Sequence, residues 1–592
     1  MPTKSKILAA LLISLLFLAN HVAGAQTKDS SITGAWNSVL TLSSLTLRLR
    51  LRVTSLPEGL RAALDSLDQP NGANIGVDTI TFQNNVLHFE ISRLRIAYEG
   101  TLSKDGSEIV GTFTQGGTPS PLIFHKDGIT KSTAVVKRGR VELKPCENPN
   151  LTSDVLCTKY EVFENRATKT GRRIGLKVML LPATGPKPAP DPLFYLAGGP
   201  GGAATGYATE QFIQNLRRNR DVVLVDQRGT GESNPLNCLL TSSREDMRPF
   251  FGDPFPLERV RACRAELEKI ADLTLYTTSI AMDDLDEVRD ALGYNMVDIY
   301  GGSYGSTTSL AYLRQHGDHV RSVAIFGVAP PNAKIPLSFS RGVQDSMNRL
   351  FADCAADKEC NAAYPDVSGD FKKVVALFDK GPVEVTATNV YTRTAQKVTV
   401  TRDAFADSIR QLLYVPAAAA ALPAMIHIGA GGDLGPLVGT AFQVMSQIDS
   451  LIARGMQFSV VCAEDTPFIT EDDIKTTSAN SFYGDARVRP TIQACAEWPK
   501  AKVPASFLDP VKSDKPVLLV SGALDPVTPP WLAREVAKTL PNSKLVIIPN
   551  ATHSSYECVE NFIADYIDKG TTQGLDTSCA DKIQRPPFTI IK

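Results

Sequence analysis

The sequence predicts an α/β protein: a mostly parallel sheet flanked by helices, a helical cap insertion, and a small N-terminal all-β domain. Three observations predict it. Short apolar runs recur at Leu193–Leu196, Val222–Val225, Val297–Tyr300, Val323–Phe326, Val517–Val520 and Leu545–Ile548, separated by longer helical stretches. Runs that are apolar throughout suit parallel strands covered on both faces. Between Pro331 and about Lys500 the rhythm breaks into Ala-rich helical sequence, including Pro416 to Pro423. Near the N-terminus, Leu45, Leu47, Leu49, Leu51 and Val53 alternate with Thr46, Arg48, Arg50 and Arg52, the period of a half-buried strand.

Taken in order, residues 1–25 read as a secretory signal peptide. Lys4 and Lys6 form the positive region, Ile7 to Leu18 the apolar one, and Ala23-Gly24-Ala25 a small-residue cleavage site. The mature chain is expected to begin at Gln26. Cleavage takes the formal net charge from −1 to −3 and leaves no apolar run of membrane-spanning length. Residues 28–127 read as an antiparallel barrel or sandwich, with further strands around Thr79–Phe82, Val86–Ile91, Ile96–Leu102 and Ile109–Thr114. Turn signals at Asn84-Asn85 and Asp105-Gly106 separate them. His88 and His125 read as strand or edge residues there, and the three arginines as a solvated face. Residues 128–140, with Lys131, Lys137, Arg138 and Arg140, read as a linker. The α/β core spans 141–331 and 501–592, and the cap 332–500.

The chain has 592 residues, 43% hydrophobic and 21% charged, which disfavours a mainly disordered protein. Lys+Arg total 62 against 63 Asp+Glu, so no general basic surface is available and no nucleic-acid partner is expected. The ten cysteines fall along the chain into neighbouring pairs. Connectivity is open from sequence alone. Nearest-neighbour pairing is the expectation: Cys146–Cys157, Cys238–Cys263, Cys354–Cys360, Cys462–Cys495 and Cys558–Cys579. Disulfides need an oxidising compartment, which agrees with a secreted or periplasmic location. No pair has the C-x2-C spacing of a zinc site, and neither metal nor organic cofactor is expected.

Gly301-Gly302-Ser303-Tyr304-Gly305 lies between the apolar run ending at Tyr300 and a helical stretch, Thr307–Gln315. G-x-S-x-G at a strand-to-helix turn is a nucleophile elbow, which exposes the Ser303 hydroxyl near a helix N-terminus. Asp525 follows the strand Pro516–Val520, and His553 follows Leu545–Ile548. The order Ser303, Asp525, His553 is that of α/β-hydrolases. Serine is a weak nucleophile at neutral pH, so His553 would accept its proton while Asp525 orients and stabilises the imidazole. After Leu193–Leu196 come Ala197-Gly198-Gly199-Pro200-Gly201-Gly202. Glycines there let backbone N–H groups face a ligand, so an oxyanion hole would combine the Tyr304 N–H with that of Gly198 or Gly199.

Together with Asp226-Gln227-Arg228-Gly229-Thr230-Gly231-Glu232-Ser233 and Gly522-Ala523-Leu524-Asp525-Pro526-Val527-Thr528-Pro529, these motifs resemble the prolyl iminopeptidase / tripeptidyl aminopeptidase family of α/β-hydrolases. The stretch through His553 and Cys558 is similar to its secreted tripeptidyl aminopeptidase-like branch. The resemblance covers roughly residues 141–592. Ala197 stands where the family often has His, and Ser554 where Gly often follows the catalytic His. The resemblance implies a serine hydrolase releasing residues or short peptides from a free N-terminus, with Pro or small residues near the cut. An esterase acting on small acyl esters would use the same triad. Arg228 is expected to brace the loop and the helix bearing Asp283 and Asp284. Exopeptidases of this kind need a negative group for the substrate ammonium, and Glu464, ahead of Asp465, is the expected anchor.

Overall fold

The computed structural model describes residues 31–591 apart from 43–44, 58, 70–71, 128–133, 147–150, 153, 239, 241–243 and 555. The expected signal peptide and the start of the mature chain lie outside the described residues. The chain divides into two compact units, 1–131 with 147–152, and 132–146 with 153–592.

The first unit is one antiparallel sheet that closes on itself. Its spatial order is Ile75–Gly76, Gly59–Ser66, Leu45–Leu56, Gly34–Leu42, Thr118–Lys126, Glu108–Gln115, Ile96–Leu102, Val86–Ile91 and Thr79–Gln83. The first and last pieces in that order are nearly contiguous in the chain. Between them, Val77 N–H donates to Ala62 O on one side and Asp78 N–H to Glu90 O on the other. Closure makes this a barrel rather than a sandwich and removes the edges that invite pairing with other chains. Leu47, Leu49, Leu51 and Val53 face a core built on Trp36, Phe89, Tyr98, Phe113 and Phe124. The outward arginines are paired, Arg48 with Asp68 and Arg52 with Asp65.

The second unit is built on a ten-stranded sheet, in the order Val136–Arg138, Val141–Pro145, Leu156–Phe163, Arg173–Leu181, Val222–Val225, Leu193–Leu196, Val297–Gly302, Val320–Phe326, Val517–Gly522 and Ser543–Ile548. The first four join antiparallel, and the six from Val222–Val225 onward run parallel. Strand Val136–Arg138 corrects the expected linker: part of residues 128–140 forms a hairpin on the sheet edge. The four residues of Leu193–Leu196 and of Val222–Val225 are all buried, as sequences apolar on both faces require. The order reverses at Leu193–Leu196, where a doubly wound sheet opens a crevice beyond its strand C-termini.

Between the adjacent strands Val320–Phe326 and Val517–Gly522 the chain inserts a largely helical segment, including Ile335–Ala356, Arg402–Tyr414, Pro416–Ala430, Gly435–Asp449, Arg454–Glu464 and Val488–Ala496. It has its own core around Phe371, Phe405, Leu422 and Phe442. It is not wholly helical as expected, because Val383–Thr388 and Ala395–Val400 form a two-stranded hairpin. Alternate residues Val385, Ala387, Val398 and Val400 are buried, which is the period-two signal of strands. The structure joins Cys146–Cys157, Cys238–Cys263, Cys354–Cys360, Cys462–Cys495 and Cys558–Cys579. Among the described residues no helix is long and apolar enough to cross a membrane.

Candidate active site

Ser303 sits between strand Val297–Gly302 and helix Tyr304–His316 with φ 58° and ψ −126°. A non-glycine residue tolerates this only where surrounding contacts hold it. Its N–H donates to Phe326 O at 2.9 Å, and Ser306 Oγ donates to its carbonyl at 2.6 Å. The flanking glycines are required by crowding: a Cβ on Gly301 would lie 2.2 Å from Gly305 O, and one on Gly305 2.1 Å from Leu196 O. The turn is thus wedged between the helix it starts and the neighbouring strand.

Asp525 follows strand Val517–Gly522, and His553 follows Ser543–Ile548. His553 Nδ1 lies 2.6 Å from Asp525 Oδ2. The Val527 and Thr528 N–H groups donate to Asp525 Oδ1, each at 2.9 Å, and Thr528 Oγ1 donates to Oδ2 at 2.6 Å. Burial alone would raise the Asp525 carboxyl, but facing His553 and these hydrogen bonds hold it below the ordinary carboxylate range. The imidazole is therefore oriented with Nε2 away from the acid. Thr528 Oγ1 also lies 3.1 Å from His553 Nδ1, a contact the sequence reading did not single out.

Ser303 and His553 line one cavity of about 1220 Å³, together with Gly198 and Gly199. Among the described residues no direct Ser303–His553 hydrogen bond is present; in unliganded sites this bond is commonly loose. A Cβ on Gly198 would come 3.2 Å from Ser303 Cβ, so this loop runs directly over the nucleophile. Asp226 pins its far end: Thr205 N–H and Thr205 Oγ1 both donate to the carboxylate at 2.9 Å, and Glu232 N–H donates at 3.1 Å.

Tyr414, at the end of helix Arg402–Tyr414, was not among the expected site residues. Its ring centroid is 4.6 Å from that of His553, and its carbonyl accepts from Thr552 Oγ1 at 2.9 Å. Burial pushes its phenol above the usual range, and Ser303 is close enough to interact with it. No local pattern marks it, since it ends an ordinary amphipathic helix far from the triad in sequence.

A smaller chamber, about 70 Å³, is lined by Ser303, Tyr304, Phe339, Tyr414, Val461, Glu464 and Asp465. Both carboxyl groups are raised by burial, Glu464 to about 8 and Asp465 to about 7, and the neighbouring Asp465 charge adds to the rise at Glu464. Thr278 occupies both oxygens of Glu464, its N–H on Oε1 and its Oγ1 on Oε2, each at 2.6 Å. Asp465 accepts one hydrogen bond, from Ile335 N–H at 3.0 Å on Oδ1. Glu464 is thus braced against helix Thr278–Leu292 through both oxygens, whereas Asp465 is held through Oδ1 alone.

Arg228 is fully buried and does not line the cavity. It grips Asp284 through Nε at 2.6 Å and Nη2 at 2.9 Å, and Nη1 donates to Glu164 O and Leu275 O at 2.8 Å. Among the described residues one group has metal-ligating character, Asp286 with His316 and His319. Arg289 and Tyr312 hold that carboxylate at 2.7 and 2.8 Å, so it serves as an ion-pair hub.

The parallel sheet, the serine at the elbow after its central strand and the acid and histidine after the last two strands define a hydrolase of the α/β-hydrolase fold. Residues 480–579 match the family profile described as TAP-like protein. Serine protease Hip1 of Mycobacterium tuberculosis is 23% identical over 492 residues, 74% of this chain and 91% of that protein. Tripeptidyl aminopeptidase of Streptomyces lividans is 24% identical over 518 residues, 76% of this chain and 89% of that protein. Proline iminopeptidase of Neisseria gonorrhoeae is 27% identical over 137 residues, 23% of this chain and 32% of that protein. The resemblance to the prolyl iminopeptidase / tripeptidyl aminopeptidase family of α/β-hydrolases stands on these matches.

Proposed function

We propose that the chain is an exported serine aminopeptidase that removes Pro- or small-residue-containing N-terminal residues or short peptides. The observation that carries this reading is the His553–Asp525 pair beside the Ser303 elbow, with a carboxylate-lined chamber on the same nucleophile. Ser303 Oγ attacks the acyl carbonyl as His553 Nε2 takes its proton. The N–H groups of Tyr304 and of Gly198 or Gly199 receive the oxyanion. His553 then protonates the leaving amine, and water attacks the acyl-enzyme by the same route reversed. Asp465 holds the substrate ammonium in the chamber, with Glu464 behind it. The five disulfides support export.

The test compares residues 26–592 with Ser303→Ala on Pro- and Ala-Ala-Pro-anilides, the same compounds with blocked N-termini, and short acyl esters. Ser303-dependent cleavage confined to free-amine anilides is expected. Ester turnover without amide cleavage would replace this reading with an esterase.

A further inference from the structure

The large cavity over Ser303 carries four arginines on its wall, Arg244, Arg410, Arg454 and Arg487. Three are committed to protein partners. Arg410 donates to Asp407 through Nε at 2.7 Å and Nη2 at 3.2 Å. Arg454 is held by Asp449 and donates to Gln457 Oε1 at 2.6 Å. Arg244 donates to Ser450 Oγ at 3.0 Å and lies over the Tyr391 ring.

Arg487 differs. Its nearest carboxylate oxygen, Asp407 Oδ2, is 3.7 Å away, beyond hydrogen-bond distance. Asp407 is already engaged by Arg410 and by Tyr483 Oη at 2.9 Å. The guanidinium lies over the Phe255 ring, 4.5 Å from its centroid, with only 16% of the side chain exposed. A planar fork of five donors is thus largely withdrawn from water on a cavity wall, and among the described residues its side chain has no hydrogen-bonded partner. Burial accordingly presses its pKa downward.

Ser303 lines two cavities that present groups of opposite sign. Asp465 lies in the small chamber beside Ser303, and Arg487 on the wall of the large cavity. Cys462–Cys495 links helix Arg454–Glu464, which leads into Asp465, to helix Val488–Ala496, which Arg487 precedes. One covalent tie therefore spans the elements presenting both charges.

We propose that Arg487 docks a carboxylate on the leaving side of the substrate, so that the preferred substrates are short peptides bearing a free C-terminal carboxylate or an acidic residue just beyond the cut. This rests on the aminopeptidase reading and deepens it. Bidentate capture by a guanidinium is the geometry that planar carboxylates favour.

The test is calorimetric titration of the Ser303→Ala protein, which binds without turning over, with Pro-Ala-Ala as free acid and as C-terminal amide. Pro-Glu-Ala-amide and Pro-Gln-Ala-amide separate a side-chain carboxylate from a terminal one. One carboxylate-bearing member is expected to bind about 10- to 100-fold tighter than its neutral partner. Adding Arg487→Gln should bring that ratio close to one, and Arg487→Lys should restore part of it. Equal affinities within both pairs, or a preference that survives Arg487→Gln, would overturn the proposal. Failure of the aminopeptidase reading shows separately, as absence of wild-type turnover of any free-amine peptide.

Discussion

On the proposed function, Asp465 and Glu464 should set the pH behaviour of the site. Both are acids whose folded pKa is raised, to about 7 and about 8, by burial. The folded chain keeps protons that the unfolded chain releases near pH 4, so their contribution to stability falls as pH rises from there toward 8. Binding an ammonium requires the ionised form. The ratio of kcat/KM for a free-amine Pro-anilide to that for a blocked acyl ester should therefore climb between pH 6 and 8. A flat ratio would remove Asp465 from amine binding. Tyr414 offers a second test at this scale. Tyr414→Phe preserves the ring against His553 and deletes only the hydroxyl facing Ser303, so kcat should fall about 10-fold with folding unchanged. Neither Tyr414 nor Arg487 was legible in the sequence. Each becomes notable only when the chain brings it across more than a hundred residues to Ser303 or to its cavity, and no local spacing encodes that approach.

The elements that carry Ser303, Asp525 and His553 were legible because each obeys a local rule. An apolar strand, a turn residue and the next helix or loop are contiguous, so Ser303, Asp525 and His553 could each be placed after a strand end before any sheet was known. The hairpin Val383–Thr388 with Ala395–Val400 was hidden because its alternation is short and lies in helical surroundings. The barrel's closure was equally hidden, since it depends on consecutive residues, Val77 and Asp78, bonding to two different strands, Gly59–Ser66 and Val86–Ile91. Arg228 shows how one side chain locks several elements. It ties helix Thr278–Leu292, through Asp284, to the carbonyls of Phe163, Glu164 and Leu275. Lysine lacks the fork to meet these partners together. Arg228→Lys should cost on the order of 3 kcal/mol, read as a lowered Tm, while the folded fraction keeps its turnover. Unchanged Tm with lost activity would place Arg228 in the chemistry.

For the whole molecule, the division into two units has a thermodynamic signature. The barrel has its own core around Trp36 and contains none of the five disulfides, all of which lie in the second unit. Calorimetry should resolve two unfolding transitions, because each of the two compact units is expected to melt as one cooperative body. Reductant should lower the transition of the α/β unit by removing loop constraints, and leave that of the barrel in place. Fluorescence of a Trp498→Phe/Trp531→Phe variant, in which only Trp36 reports, identifies the barrel transition. A single transition, or equal sensitivity of both to reductant, would contradict this.

The insertion between strands Val320–Phe326 and Val517–Gly522 also orders events in time. Ser303 precedes it in the chain, whereas Asp525 and His553 follow it. A ribosome working from the N-terminus completes the nucleophile's turn long before the acid and base exist. In the proposed mechanism, Ser303 has no proton acceptor until the last two strands join the sheet. On the proposed function, chains that stop within the insertion lack both Asp525 and His553, and activity arrives only with the finished polypeptide.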